Sequence, residues 1–404
     1  MSTPQKLRWI ALLYFAQGFP FGLVMDNLPL YFRAHGVSLA AIGMLSVLGL
    51  PWSLKVFWAP LVDRFGEHRQ WIRTALLVVA VATVAIPLAD PAAPDAFLWT
   101  VLIILTIAAA TQDIAIDAYT IGLLEPGEEG VANGVRVSAY RAALIVGGGA
   151  LVILAGWVGW PPVFWAAAAI LIVLAIVAAR LPVITIARQP ARVWARAFVR
   201  WLARPGAAPV LLFVLVYKLG DASMGPMVKP FWLDRGLSVQ EVGVVSTTLG
   251  IAMTVLGALA GGAFTSRFGI FRGLWTLGLL QALSNLGYAA VAAENAGRAA
   301  IYTASLLESF TGGLGTAAFL AFLMHICERE QAATQYALLS ALFGFTRSVA
   351  GGVSGFAAAR FGYAAFFAFT FLLAFPAYAL LPWVRRWIHD RPPAGTSHGA
   401  WRSS

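Results

Sequence analysis

The stretch YFRAHGVSLAAIG, residues 31–43, recurs almost half a chain later as FWLDRGLSVQEVG, residues 231–243. A second pair, DRFG at 63–66 and SRFG at 266–269, keeps nearly the same spacing. A weaker echo pairs YRAALIVGGG in the first half with TRSVAGGVSG in the second. Because the three pairs follow the same order, they predict a chain built from two structurally related halves.

The composition is that of a chain embedded in a membrane. Of the 404 residues, 60% are hydrophobic and only 11% are charged, whereas soluble domains carry about a quarter charged residues. A spanning helix needs about 20 largely apolar residues, and the sequence supplies twelve such runs. We therefore predict an all-α polytopic protein with transmembrane helices at 9–32, 39–61, 71–89, 97–119, 131–156, 162–181, 207–233, 239–265, 271–293, 299–325, 332–357 and 363–387.

Basic residues lie mainly in alternate loops between these helices. The net charge of +10 does not indicate nucleic-acid binding, because the basic residues are not clustered with aromatic residues on a soluble face. Their bias toward one set of loops predicts that both termini and the long central loop lie in the cytoplasm. The loop after the fourth helix is an exception, since it holds Glu125, Glu128 and Glu129 without Lys or Arg.

The same pattern divides the chain into four parts. Residues 1–181 and 207–387 form two six-helix bundles. The linker 182–206, with five Arg and no acidic residue, is interpreted as a cytoplasmic segment whose amphipathic helix contacts anionic lipid headgroups. The tail 388–404, rich in Pro, Gly and Ser, is expected to be disordered. We expect the first helix to be retained as a signal anchor, and the single cysteine, Cys327, excludes an intramolecular disulfide.

Several charged residues lie deep inside the predicted helices. Each costs on the order of 3 kcal/mol in hydrocarbon even on the lenient insertion scale, so such groups normally face a cavity or an oppositely charged partner. The near balance of acids and bases suggests internal pairing. The set comprises Asp26, Lys55, Asp113, Asp117, Arg141, Lys218, Asp221, Glu308 and Arg347. Arg136 and Lys229 lie nearer helix ends, where their long side chains can reach the membrane surface.

Asp113 and Asp117, in the segment TQDIAIDAY, lie four residues apart and therefore on one face of the fourth helix. In one interpretation, the like charge and the apolar surroundings make one carboxyl group a proton carrier. In the other, Asp113 pairs permanently with Arg141 or Lys55, while Asp117 is solvated near the cytoplasmic end. Both interpretations remain open, and Gln112 adds polarity beside them.

The seventh helix places Lys218 and Asp221 three residues apart, where they can neutralise each other. Glycines and prolines nearby, and around Asp26 in the first helix, predict kinked or partly unwound helices of the kind that form transporter binding sites. Glu308, the only acidic residue within the tenth helix, is either a coupling residue or a protonated Glu hydrogen-bonded across helices.

The segment APLVDRFGEHR resembles the loop Gly-x-x-x-Asp-Arg-x-Gly-Arg-Arg between the second and third helices of major facilitator transporters. Asp63, Arg64, Gly66 and Arg69 match this pattern, whereas the first Gly is Ala here. The resemblance implies a latch that holds the two halves together on the cytoplasmic side when the transporter is open outward. In the second half Ser266 replaces the Asp, so the latch would be one-sided. An ordinary tight turn is the alternative.

Longer segments resemble the AmpG-type permeases of the peptide, acetyl-coenzyme A and drug transporter branch of the major facilitators. They are LYFAQGFPFGL (13–23), LPWSLKVFWAPLVDR (50–64), TQDIAIDAYTIGLL (111–124) and VSAYRAALIVGGG (137–149). The resemblance is dense in the first half and thin in the second. Its recurrent residues fall on Lys55, Trp58, Pro60, Asp63, Arg64, Gln112, Asp113, Asp117, Ala118, Tyr140 and Arg141.

This resemblance implies a major facilitator fold with two pseudo-symmetric six-helix bundles, and proton-driven import from periplasm to cytoplasm. The implied substrates are anhydro-muropeptides or, in short members, ferric siderophores. The chain lacks the two additional helices that are common in muropeptide permeases. With twelve helices it is similar in size to the short siderophore importers, so the substrate remains open. We expect a monomer that contacts a small-molecule substrate, protons and lipids.

Three groups of residues are expected to carry the function. Asp113, Asp117, Arg141, Lys55 and Glu308 form the proton-coupling charge network. The cytoplasmic gating motif consists of Asp63, Arg64, Gly66 and Arg69. The substrate cavity is lined by Asp26, Gln17, Tyr14, Gln112, Lys218, Asp221, Tyr217, Trp232 and Arg347.

Two other functions are carried as alternatives: a transporter-like receptor that binds its ligand without net transport, and a drug or metabolite exporter of the same fold. An enzyme is disfavoured, because the sequence holds no HExxH, GxSxG or nucleotide-binding motif. We expect neither a cofactor nor a metal ion.

Overall fold

The computed structural model describes residues 1–125, 128–184, 203–327 and 332–389. Within these ranges all regular secondary structure is helical, which agrees with the predicted fold class. Most of the basic linker and nearly all of the tail lie outside the described residues, so the amphipathic helix and the disorder expected there remain predictions.

Within the described residues, eleven helical stretches are long and apolar enough to cross a membrane, and the last of them consists of two helices, so the structure has the predicted twelve. The last apolar stretch, Gln335–Ile388, is continuous over 54 residues, which is far longer than one span requires. Gly362, with φ 75° and ψ 162°, interrupts it and divides it into two helices. The helices are α1 Thr3–Ala34, α2 Leu39–Phe57, α3 His68–Leu88, α4 Ala96–Leu123, α5 Val131–Val158, α6 Trp160–Ala178, α7 Ala207–Asp234, α8 Val239–Phe268, α9 Ile270–Ala293, α10 Arg298–Ile326, α11 at 335–361 and α12 at 363–388.

Because successive helices alternate in direction, both described ends of the chain lie at one face, which we call the proximal face; the opposite one is the distal face. Helix α1 begins earlier than predicted. Ser2 and Gln5 form a capping box at its start, and this cap satisfies backbone donors of the first turn.

The sequence repeat is a repeat of turn geometry. Gly36 and Gly236 have φ values of 81° and 73°, a region that glycine enters without steric penalty. Two residues later, the hydroxyls of Ser38 and Ser238 accept hydrogen bonds from backbone N–H groups and cap the next helix. Each half therefore reverses direction after its first helix by the same local chemistry.

The helix packing is also repeated. In the N-terminal half, α1 packs on α5, while α3 packs on α4 and α6. In the C-terminal half, α7 packs on α11 and α9 on α10. Asn285 on α9 donates a hydrogen bond to Thr370 on α12. Equivalent helices thus occupy equivalent positions in two six-helix bundles.

The two halves meet mainly toward the distal face. Within the described residues, the extensive contacts between them join α2 to α11, α5 to α8, and α7 to the distal ends of α1 and α2. Glycines permit this approach: a Cβ added at Gly43 would lie 2.7 Å from the Gly355 nitrogen, and one at Gly355 would overlap the Leu39 carbonyl. The space between the halves consequently opens toward the proximal face.

The α2–α11 contact predicts the effect of a single methyl group. Gly355→Ala should weaken distal closure, because overpacking of a tight contact costs about 1–3 kcal/mol. We expect maleimide labelling of Ser46→Cys, at this contact, to accelerate about fivefold or more in a Cys327→Ser background. Gly262→Ala, where a Cβ meets no atom within 4 Å, is the control. Equal labelling rates in both variants would contradict the prediction.

Candidate functional site

The first charge cluster lies in the N-terminal half, where α1, α2, α4 and α5 converge. Lys55 on α2 forms a close ion pair with Asp113 on α4, and its Nζ lies 3.7 Å from Asp117 Oδ2. Asp113 is almost fully buried. The Gln17 side chain also lies against the Asp113 carboxylate. Of the two partners expected for Asp113, the structure selects Lys55.

Asp117, one helical turn further along α4, is more open and has different partners. The Tyr14 hydroxyl donates a hydrogen bond to Asp117 Oδ1 at 2.6 Å. Arg136 Nη2 lies 3.6 Å from the same oxygen, and the guanidinium stacks 4.5 Å from the centre of the Tyr14 ring. This cation–π contact lets one tyrosine orient both charges. Tyr14 is therefore a positioning residue rather than an open cavity wall.

Arg136 was not predicted to belong to this cluster. Because it lies near a helix end, its side chain was expected to reach the membrane surface. Its position on α5 opposite Asp117 depends on how the two helices are rotated, which no local pattern reports. Arg141, expected in this network, makes no ion pair among the described residues. Its place in the cluster is taken by Arg136.

Gln112, next to Asp113 on α4, faces α1 rather than a cavity. Its Nε2 donates to the Ala16 carbonyl at 2.9 Å, and the residue is fully buried. It holds α4 against α1 and so fixes the position of the neighbouring aspartate.

Two further ion pairs connect the N-terminal half to the C-terminal half. Asp26 on α1 pairs closely with Lys229 on α7. Nearer the distal face, Arg33 pairs with Asp234 at 2.5 Å, and the Tyr363 hydroxyl donates to Asp234 at 2.7 Å. This role of Lys229 was not predicted either, because its place near a helix end suggested that the side chain reaches the membrane surface.

The C-terminal half holds its own cluster. Lys218 Nζ lies 3.1 Å from Asp221 Oδ2 and donates to Gln281 Oε1 at 2.7 Å, so the expected neutralisation is present. Glu308 on α10 has no ion pair among the described residues, and its nearest hydrogen-bond donor is the Ser309 hydroxyl at 3.5 Å. This cluster therefore contains two carboxyl groups and one ammonium.

Two aromatic residues expected in the substrate cavity lie elsewhere. Trp232 is fully buried, stacks on Tyr302, and its Nε1 lies 3.4 Å from the Tyr288 hydroxyl. Tyr217 donates to the Leu274 carbonyl at 3.0 Å and lines a small crevice between α7, α9 and α12. Both belong to the packing of the C-terminal bundle, because α7 turns these side chains away from the other half.

Arg347 on α11 does reach toward the other half. Its side chain is exposed, and the guanidinium lies 5.7 Å from the centre of the Phe21 ring on α1. Like Arg141, it makes no ion pair among the described residues. Arg141 and Arg347 are thus two cations without a carboxylate partner among the described residues.

The gating motif forms a tight turn at the proximal face. Gly66 has a φ of 73°, Arg69 pairs with Glu67, and Arg64 lies over the Phe65 ring. The Asp63 side chain lies outside the described residues, so the latch stays a prediction. The matching Gly269, with φ 89°, makes the equivalent turn in the second half.

The acidic loop after α4 also finds its countercharge at this face. Lys6 on α1 lies 2.7 Å from Glu125 and 3.0 Å from Glu128. Hydrogen bonds from the Glu125 backbone N–H, the Thr3 hydroxyl and Lys6 lower the pKa of Glu128 to about 2. The acidic residues that made this loop an exception to the loop-charge pattern therefore form ion pairs with Lys6, and these pairs connect α1 to the end of α4.

Within the described parts of the chain, no group of His, Cys, Asp and Glu side chains has the arrangement of a metal site. What the structure offers is two six-helix bundles, joined toward one face, with paired charges inside their helices. This combination defines the class of secondary transporters, which bind their solute between two such bundles.

Comparison with known proteins identifies the family. The model described as Major Facilitator Superfamily matches residues 10–205. The anhydromuropeptide permease of Escherichia coli (strain K12) is 33% identical over 383 residues, which cover 92% of this chain and 78% of the relative. A putative AmpG transporter of Rickettsia conorii is 28% identical, with 93% and 95% covered. The chain therefore belongs to the AmpG-type permeases of the major facilitator superfamily.

Solved structures agree on the fold. A bacterial homologue of the human lysosomal transporter Spinster superimposes with a TM-score of 0.78 at 16% identity, covering 97% of this chain and 99% of the other. The Escherichia coli xylose transporter XylE gives 0.68 at 12% identity, with 94% and 97% covered. Together with the apolar helices and the family, they make this a multi-pass protein of the bacterial inner membrane.

The Lys55–Asp113 pair predicts a strong dependence of stability on its partner. Lys55→Met should lower the free energy of unfolding by about 3 kcal/mol, because it leaves a carboxylate buried without its countercharge. The double variant Lys55→Met/Asp113→Leu should recover most of this loss. Arg141→Met is the control, since Arg141 makes no ion pair among the described residues. Thermal unfolding in detergent measures the difference, and a melting temperature unchanged by Lys55→Met would refute it.

Proposed function

We propose that this permease imports an anhydromuropeptide-type solute into the cytoplasm, coupled to protons, by alternating access. The observation that carries the proposal is the contact between the halves, which lies mainly toward the distal face, in a chain 33% identical to an anhydromuropeptide permease. Two bundles hinged in this way can rock about the solute between them.

The contact between the halves has the character of a gate. It includes close helix approaches at glycine and ion pairs, such as Arg33–Asp234, that water can replace when the halves separate. Each cycle would break these contacts and close the proximal side instead, where the turn at Gly66 lies.

The loop charges support one orientation of the protein in the membrane. Arg and Lys concentrate at the proximal face, which supports a cytoplasmic location for both termini. The space between the halves then opens to the cytoplasm. We propose that the protein is a monomer that needs no cofactor, acts on no covalent bond of its solute and binds no nucleic acid.

The charges that border the space between the halves favour an anionic or amphoteric solute. Arg141 and Arg347 have no carboxylate partner among the described residues, so a solute carboxylate can pair with either of them. A ferric siderophore meets the same cations and remains the second candidate. The relatives that match over most of their length favour the muropeptide class, because one of them is named for it.

Proton coupling is assigned to the carboxyl groups inside the spans. Asp113 shares Lys55 with Asp117, and Glu308 has no ion pair among the described residues. A carboxyl group can alternate between charged and neutral forms at low cost where its countercharge is shared or weak. These three acids are therefore the proposed proton carriers.

Uptake by purified protein in proteoliposomes tests the substrate and the direction. With a proton gradient directed inward, so that the outside is more acidic, we expect the vesicles to accumulate a radiolabelled anhydromuramyl tripeptide. We expect a lower accumulation of a ferric hydroxamate siderophore. Binding without uptake would favour the receptor alternative. Transport only out of the compartment that the proximal face contacts would favour an exporter, and preferential accumulation of the siderophore would reassign the substrate.

Asp113→Asn and Glu308→Gln test the coupling. Neither amide can release a proton, so we expect each variant to lose at least about tenfold in gradient-driven accumulation while retaining exchange of internal for external solute. Asp95→Asn serves as the control, because Asp95 caps α4 and asparagine caps equally well. If both variants accumulate solute as the wild type does, the coupling assignment is wrong.

A further inference from the structure

Two ion pairs join the halves, and Asp26–Lys229 is the one that lies further from the distal face. Its side chains are 23% and 14% exposed, whereas that of Lys218 is only 3% exposed. Among the described residues, neither Asp26 nor Lys229 has a second ion pair or hydrogen bond. Each charge consequently depends on a residue of the opposite half.

The outer pair between the same two helices is built differently. Arg33 also donates to the Val37 carbonyl at 2.9 Å in its own half, and Asp234 accepts from Tyr363 in its own half. When the halves separate at the distal face, these two charges keep a partner and meet water at the surface. Asp26 and Lys229 keep none.

The surroundings of Asp26 are specialised. It lies in a π-helical segment of α1, Leu23–Asn27, which packs against a second π-helical segment in α5, Ile145–Ala150. A Cβ at Gly148 would overlap the Asp26 carboxylate, and Asn27 Nδ2 donates to the Gly147 carbonyl at 2.5 Å. π-helical turns occur frequently at functional sites, and here they direct a carboxylate toward the other half.

Lys229 is carried by a weakened part of its helix. Pro226 and Pro230 flank it within α7, and each proline removes a backbone hydrogen bond. The lysine can therefore change position with less disturbance than a residue in an uninterrupted helix. Together with its long side chain, this makes Lys229 the mobile partner of the pair.

The geometry points to Asp26 and Lys229 as a two-charge subsite that exchanges its internal ion pair for the ammonium and carboxylate groups of an amphoteric solute. The assignment rests on the proposed transport function and specifies which solutes it favours. A solute with both charges can replace both partners at once when the halves part, whereas a purely anionic solute leaves Asp26 unpaired. Re-formation of the pair on distal closure then releases the solute toward the proximal side.

Binding measurements on the full-length protein in lipid nanodiscs test this subsite. One probe pair is an anhydromuramyl tripeptide with a free side-chain amine and its N-acetylated form. The second pair is trialanine and N-acetyltrialanine. We expect the wild type to bind the amphoteric member of at least one pair about tenfold more tightly or better, a difference equal to about 1.4 kcal/mol.

The variants identify the residues responsible. Asp26→Asn should reduce the preference to about twofold or less, whereas Asp234→Asn, which breaks the outer pair between the same helices, should retain it. Lys229→Gln, compared on peptides with free and amidated carboxylates, gives an independent test should Asp26→Asn fail to fold. Asp26→Glu should preserve the preference.

Each outcome decides the question. A preference that survives in Asp26→Asn and Lys229→Gln overturns the subsite, and so does a wild type that binds neither pair or shows no preference in either. Preference confined to trialanine, with no binding of the anhydromuramyl probe, contradicts the proposed muropeptide substrate but supports the subsite. The two proposals can therefore fail separately.

Discussion

A charge inside a membrane span is stable only beside an opposite charge or in contact with water, and this constraint accounts for the ion pairs that lie inside the helices of this protein. In the N-terminal half, Lys55 lies beside both aspartates of α4, and Arg136 lies beside the second of them. Between the halves, Asp26 meets Lys229. The helices can approach one another only in arrangements that satisfy these pairs, so the electrostatics select the packing as much as the apolar contacts do.

Much of the fold could be predicted, because a membrane reduces the problem to the length of apolar runs. The twelve spans, the repeated turns at Gly36 and Gly236, and the Lys218–Asp221 pair all follow from spacing along the chain. What the sequence could not supply was the rotation of one helix relative to another. Arg136 and Lys229 were assigned to the membrane surface for that reason, and Trp232 to the cavity, although it packs in the core.

The two halves share a backbone plan but not its chemistry. Equivalent glycines with positive φ values, such as Gly66 with Gly269 and Gly159 with Gly362, mark the same turns. The charged groups differ: α4 carries two aspartates served by cations of α2 and α5, whereas α10 carries Glu308 without an ion pair among the described residues. The repeated backbone therefore carries a different set of charged groups in each bundle.

The connections at the distal face are all short. Four residues separate α1 from α2 and four separate α7 from α8, while Gly159 and Gly362 alone divide α5 from α6 and α11 from α12. The other two connections, 89–95 and 294–297, are also brief. No loop at this face can fold over an entrance as a lid does in many enzymes. Admission of a solute from this side must therefore depend on whole helices tilting together, and its rate will follow the stiffness of the bundles and the thickness of the surrounding bilayer.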